Sequence, residues 1–318
     1  MKQLIAGLTA VAALAAPAAS QESACEVEVH VLGIGQDGGA PQLGAFDDPA
    51  WDDPEARLYA TSLGLVDHRT GERWLFEATP DMRPQVHALT VAAGARDDAP
   101  LLDGIFLTHA HIGHYAGLVF LGHESLGASG IVVHAMPRMA GFLRDNGPWS
   151  QLVAYGNIAL SELAPGAAVD LGDEVSVTPF LVPHRQEFSE VVGYRIEGPE
   201  ASALFLPDID SWEDWDAMGV RIEDAIAEVD IAFLDATFFA DGEIPGRDMS
   251  GFPHPFIRHS MDRFADLAAA ERAKVRFIHL NHTNPARDPD GDAAQEIRAR
   301  GFGLARRGET ICLLEAVD

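Results

Sequence analysis

The chain has 318 residues, 47% of them hydrophobic, which is enough for one large domain or two small ones with a sizeable core. Its 22 basic residues against 49 acidic ones leave a formal net charge of −27. That balance argues against nucleic acid as a partner and disfavours anionic membrane surfaces, because both call for basic patches. The acids are spread along the chain, as in "AFDDPAWDDPEA" and "DSWEDWDAM", and read as a solvated surface.

Residues 1–20 read as a secretory signal: Lys2, then the apolar run "LIAGLTAVAALAA", then "PAAS" before Gln21. The run is too short for an ordinary transmembrane helix, and no later segment is long and apolar enough to cross a membrane. A periplasmic or secreted protein is therefore expected, with residues 21–318 forming a single domain. Two cysteines are present, Cys25 before the first strand-like run and Cys312 within the last. In an oxidising compartment they join the ends as a disulfide; the alternative is two free buried thiols.

The alternation in 25–35 predicts a strand, broken by the glycine-rich loop "GQDGGAPQLG". Residues 61–78 read as two strands around the turn "DHRTGE", and 80–94 as a helix. A buried strand, 102–108, runs straight into "LTHAHIGHYAGL" (107–118), after which "YAGLVFLGHESLGA" has helical spacing. A strand at 130–135 precedes the helix "PRMAGFLRDNG", with proline at its start. Further strands are expected at 173–184, 191–198, 201–210, 229–239, 274–285 and 308–317, with helices between. The interleaving predicts one α/β domain with two sheets. The Gly- and Pro-rich loop 240–260 fits a lid or a site-lining loop.

Polar residues recur where apolar strands end. In an extended segment, positions i and i+2 share a side, so His109 and His111 can grip one ion. A sharp turn, which Gly113 permits, then returns His114 from the first turn of a helix. Neutral imidazoles suit Zn²⁺, Fe²⁺ or Mn²⁺. His184 ends the strand before "RQ", and Asp208 emerges from "LFLPDID", with Asp210 two residues on. In "FIHLNHTNP", His282 is taken as the site residue and His279 as a packed strand histidine. His134 and His254 are further candidates for lining the pocket. Asp235, at the end of "AFLDAT", could orient a metal-bound imidazole, since such rings usually donate their other N–H to a carboxylate or carbonyl. No G-x-S-x-G stretch offers a serine nucleophile, so metal-bound water is the better nucleophile.

"LTHAHIGHYAGL" followed by His184, Asp208 and His282 resembles the metallo-β-lactamase superfamily over essentially the whole mature chain. "LGIGQDGGAPQLG", "EATPDMRPQ" and "HLNHTNP" resemble, more narrowly, its pyrroloquinoline quinone biosynthesis protein B branch. The resemblance implies an α/β fold, a four-layer αβ/βα sandwich of two mixed sheets, with metal between the sheet edges. It implies a first ion on His109, His111 and His184, and Asp208 as a bridging carboxylate. A second ion would take His114, His282 and an aspartate where this chain has Gly113. One firmly held ion is therefore expected, zinc before iron or manganese, and a weaker second one that could borrow Asp210 or His254. The implied activity is a metal-dependent hydrolase, with Asp208 and His282 catalytic, in which metal-bound water attacks a small-molecule ester, lactone, amide or phosphodiester. The alternatives are an oxidative enzyme with non-haem iron, as the branch suggests, and a non-catalytic periplasmic binding protein. The chain departs from the branch in its export signal, and in His282 where asparagine is expected.

Overall fold

The computed structural model describes residues 25–94, 96 and 100–315. The expected signal at 1–20, and residues 21–24 and 316–318 of the expected domain, lie outside the described residues.

The first half of the chain builds one sheet from β1 (Cys25–Gly33), β2 (Ser62–Asp67), β3 (Glu72–Phe76), β4 (Gly104–Phe106), β5 (Ile131–Ala135) and β6 (Ile158–Glu162). The second half builds another from β7 (Val169–Gly172), β8 (Val175–Leu181), β9 (Val192–Glu197), β10 (Ser202–Leu206), β11 (Ile231–Asp235), β12 (Val275–Ile278) and β13 (Gly303–Leu304). The last strand, β14 (Thr310–Glu315), returns to the first sheet and pairs antiparallel with β1. The strand orders are β14-β1-β2-β3-β4-β5-β6 and β13-β12-β11-β10-β9-β8-β7. Both sheets are mixed: β3 to β6 run parallel in one, β10 to β13 in the other.

Alternating side chains explain the layers. In β2, Leu63 and Leu65 point into the core between the sheets, where they meet Tyr194, Phe205 and Phe233. Val66 points the other way, toward the helix α1 (Met82–Ala93). Gly64 lets that helix close in, since a Cβ there would stand 2.5 Å from Leu89. The helices α2 (Ile112–Tyr115), α3 (Pro137–Asp145) and α4 (Trp149–Ala154) cover the same outer face. On the far side, α5 (Trp212–Ala217), α6 (Ile222–Ala227), α7 (Ile257–Arg263), α8 (Ala269–Lys274) and α9 (Asp292–Ala299) accompany the second sheet, with Trp212, Ile226 and Ile297 in its outer core. The result is the expected order of helix, sheet, sheet, helix.

Cys25 and Cys312 form a disulfide that spans 287 residues and staples β1 to β14. Among the described residues, no helix is long and apolar enough to cross a membrane.

Two expected elements are shorter than their patterns suggest. The helical spacing after His114 becomes α2 and a 3-10 turn over Ala116–Leu121, ended at Gly122. The strand expected over 274–285 stops at Ile278, because His279 adopts φ +69°. Asn281 then shapes a turn, its side-chain oxygen accepting from the Thr283 amide at 3.0 Å.

Candidate metal centre

The parallel strands of both sheets end at one edge, and the polar residues that follow them converge there. Ligands in open α/β sheets bind outside the carboxyl ends of strands for the same geometric reason. β4 delivers Thr108 to His111, β10 delivers Asp208, β11 delivers Asp235, and β12 delivers His279. His184 follows β8, and the Ser189 hydroxyl draws that loop in by accepting from the Ala110 amide at 2.8 Å.

His109 Nε2 lies 2.8 Å from His111 Nδ1, and His184 Nε2 lies 3.2 Å from the same atom. The far nitrogens are engaged elsewhere: His109 Nδ1 with the Thr108 hydroxyl at 2.8 Å, His184 Nδ1 with Asp210 at 2.8 Å, His111 Nε2 with Glu187 at 3.3 Å. The carboxylate partners of His184 and His111 favour a proton on those far nitrogens, and with the Thr108 hydroxyl accepting from His109 Nδ1 three lone pairs face one another. A cation satisfies all three at once, so the donor set fits a metal. Burial, with the charges of His114 and the other nearby imidazoles behind it, holds His109 well below the ordinary imidazole pKa, which keeps its ring neutral as a ligand must be.

Asp208 reaches across from this group to a second one. Its Oδ1 is 3.7 Å from His184 Nε2, while Oδ2 is 3.1 Å from His114 Nε2 and 3.4 Å from His279 Nε2. Burial alone would raise the Asp208 pKa; the surrounding imidazoles, His279 and His114 foremost, outweigh it and hold the carboxyl well below its usual range. Asp37, from the glycine loop after β1, brings Oδ1 to 3.4 Å from His114 Nε2. His109, His111 and His184 thus form one group with the spacing of a metal site; Asp37, His114 and His279 form another; Asp208 joins His109 and His114.

Two buried carboxylates hold the rings from behind. Glu77 is fully buried, with Oε1 3.5 Å from His114 Nδ1 and Oε2 3.5 Å from the Thr108 amide. Asp235 is also fully buried and accepts from the Ile209 and Thr237 amides, the Thr237 hydroxyl and His254 Nδ1, the last at 2.7 Å. The Thr237 hydroxyl in turn lies 2.9 Å from His279 Nδ1, so Asp235 sets both His254 and His279. This is the orienting task expected of it. Four of the six non-glycine residues with positive φ belong to the site: Asp37, Glu77, His254 and His279. Left-handed backbone costs about 1 kcal/mol or more at such residues and persists where the surroundings impose it.

His109, His111, His114, His184 and Asp208 stand together as the sequence predicts. His282 does not join them: its chain has already turned, its carbonyl accepts from Arg287 at 2.7 Å, and its ring titration is governed by burial, Arg287 and Asp48. His279 occupies the expected place instead, because its left-handed φ swings it out of the strand and toward Asp208. Asp210 does not offer itself to the second group; it holds His184 from behind. His254 does approach, with Nδ1 3.8 Å from Asp208, whereas His134 stacks on Phe106 at 4.3 Å inside β5. Gly113 makes no special turn: it sits inside α2 and is absent from the positive-φ glycines. The loop 240–260 reaches the site through His254; its Met249 and Phe252 border a neighbouring cavity of about 280 Å³ with Asp210 and Trp212, which His109, His111, His114, Asp208 and His279 do not line. Asp37 and Glu77 escaped sequence reading because no histidine lies near them in the chain. A lone carboxylate between Gln36 and two glycines was the available signal.

A family model described as "Beta-lactamase superfamily domain" matches residues 72–290. The Coenzyme PQQ synthesis protein B of Xanthomonas euvesicatoria pv. vesicatoria (strain 85-10) is 27% identical over 313 residues, which cover 90% of this chain and 100% of that protein. Among solved structures, Zn(2+)-bound PqqB from Methylobacterium extorquens has a TM-score of 0.71 at 22% identity, over 89% of this chain and 99% of that one. A diphosphatase from the PhnP family has a TM-score of 0.61 at 22% identity, over 90% of this chain and 96% of that one. The two structures share the fold described above.

Proposed function

Because the chain belongs to the beta-lactamase superfamily, we propose that it is a zinc-dependent hydrolase of a small-molecule ester, lactone, amide or phosphodiester. The observation that carries this reading is the convergence of three imidazole nitrogens, each with its far nitrogen already engaged, beside the buried Asp208 carboxylate. When bound there, a divalent ion supplies Lewis acidity and lowers the pKa of coordinated water to ~7.

The chain's own residues supply the rest. His109, His111, His184 and Asp208 hold the ion. His254 is the acid: its Nδ1 is committed to Asp235, which leaves Nε2 for the leaving group. Burial pushes its pKa down, but the charge of Asp235, its hydrogen bond and Asp208 outweigh burial, so the net shift is upward. Leu43, Phe46 and Phe188, on the loops that carry Asp37 and His184, and Ile112, at the start of α2, are exposed apolar residues, which favours a substrate with an apolar part.

The likeness to Coenzyme PQQ synthesis protein B, which spans that protein's full length, favours a second reading: a role in the synthesis of a quinone cofactor, for which the same donor set, suited to iron as well as zinc, would serve an oxidative step. An export address fits both the disulfide, which persists in oxidising compartments, and the apolar run at the N-terminus. The deciding experiment is elemental analysis of chelator-free protein, followed by assay of esters, lactones, amides and phosphodiesters. Zinc with turnover that His109→Ala abolishes and that His254→Ala slows, most for poor leaving groups, supports the hydrolase. Bound iron and no hydrolysis would overturn it in favour of the oxidative reading.

A further inference from the structure

Gly113 stands where a carboxylate is expected, and the structure shows why no side chain can be there. A Cβ on Gly113 would lie 2.4 Å from the Asp37 Cα, 2.4 Å from its Oδ1 and 2.9 Å from its Cβ. The space that a residue-113 side chain would enter is already filled by another aspartate. That aspartate comes from a different part of the chain, upstream of the matched segment 72–290.

Three atoms near it are unpartnered. His114 Nε2, Asp208 Oδ2 and His279 Nε2 are buried and make no hydrogen bond, in side chains only 2%, 4% and 1% exposed. An unsatisfied buried polar atom costs about 1–3 kcal/mol, so three in one place call for an occupant. Each is an electron-pair donor, provided that His114 and His279 carry their protons on Nδ1. For His279 the partner of Nδ1 favours that, the Thr237 hydroxyl, which itself donates to Asp235; for His114 the Glu77 carboxylate faces Nδ1 at 3.5 Å, where both atoms make no hydrogen bond, and its charge draws the proton to that side. Asp37 Oδ1 adds a fourth donor, 3.4 Å from His114 Nε2.

The loop that carries Asp37 is pinned to the segment after His279. The Gln36 amide donates to the Leu280 carbonyl at 2.9 Å, and the Gln36 side chain accepts from the Asn281 amide group. The Gly39 amide closes the turn onto the Gln36 carbonyl at 2.8 Å. Asp37 itself is held at φ 40°, a conformation that aspartate and asparagine tolerate better than most residues.

We propose that Asp37 is the carboxylate ligand that Gly113 cannot supply, and that with His114, Asp208 and His279 it completes a second divalent-cation site. This rests on the metal-centre reading above, and it makes Asp208 the shared ligand of two sites. The glycine at 113 and the aspartate at 37 go together: a side chain at 113 would take the space that the Asp37 carboxylate fills.

The test is calorimetric titration of metal-free protein with Zn²⁺, together with zinc counted per chain after gel filtration. Wild type should bind two equivalents. Asp37→Asn keeps the shape and tolerates the same φ, and should retain the first equivalent while the second weakens at least tenfold. Gly113→Asp alone should displace the loop and lose the second equivalent. The paired exchange, Asp37→Gly with Gly113→Asp, should restore it, which a merely structural role for Asp37 would not do. One equivalent in wild type, or two of undiminished affinity in Asp37→Asn, would overturn the proposal. Because the readout is stoichiometry, it separates from the hydrolase reading. Two sites that respond to Asp37, in a protein without hydrolytic turnover, would refute only the activity; turnover with an unaffected Asp37→Asn would refute only the ligand.

Discussion

Replacing both cysteines, Cys25→Ser with Cys312→Ser, should lower stability without touching the metal centre. The closed loop spans 287 residues, so the chain-entropy treatment puts the disulfide's stabilisation at about 5.7 kcal/mol, just above the range that disulfides deliver. β14 would remain in place through its pairing with β1 and through the fully buried Leu313, so the native structure persists and the loss falls on the unfolded state. A chain of this length unfolds with an entropy of about 0.6 kcal/mol/K, so the roughly 3–5 kcal/mol that disulfides deliver in practice corresponds to a melting temperature lower by roughly 5–8 °C. The assay is thermal and urea unfolding of metal-free protein, which removes stabilisation by bound ions. The urea m-value should rise, because the uncrosslinked unfolded chain exposes more surface. An unchanged melting temperature, with two titratable thiols in non-reduced wild type, would refute the reasoning and leave the cysteines as separate buried thiols.

His279→Ala should cost at least half of the bound zinc, while His282→Ala leaves zinc per chain at the wild-type value; equal losses in the two variants would contradict the placement of His279. Asp210→Asn removes the charge that holds His184 Nδ1 and should weaken the first ion by about 10–100-fold in a chelator competition, with the second equivalent less affected. The pH dependence of metal-free protein follows from His114 and Asp208. Burial alone would lower the His114 pKa, but Asp208 and Glu77 hold it well above 6.5, so its contribution is present below pH 6.5 and lost as pH rises through the folded-state value. Asp208 is held well below 3.8, so its contribution is present above that pH and lost as pH falls through its folded-state value. Zinc needs the deprotonated ring, so the melting-temperature gap between loaded and metal-free protein should widen as pH rises from 6.5. A gap that narrows instead would show that His114 is not a ligand.

The strand-end pattern was enough to group most of the centre. His109, His111, His184 and Asp208 each follow an apolar strand, and periodicity alone says that such residues emerge at a sheet edge. The order of helix, sheet, sheet, helix was also legible, because strands buried on both faces need cover on both sides. The choice between His279 and His282 was not. It turns on whether β12 continues past Ile278, and one left-handed residue, imposed by contacts with Thr237 and the 36–37 loop, decides that. The roles of Asp37 and Glu77 went unread for the same kind of reason. Local sequence determines where a strand begins and which face a side chain takes, since sterics act between near neighbours. It does not say which distant loop closes over that edge. Here the tertiary structure alone brought residue 37 into the space beside residue 113, and with it a carboxylate to within 3.4 Å of the His114 ring.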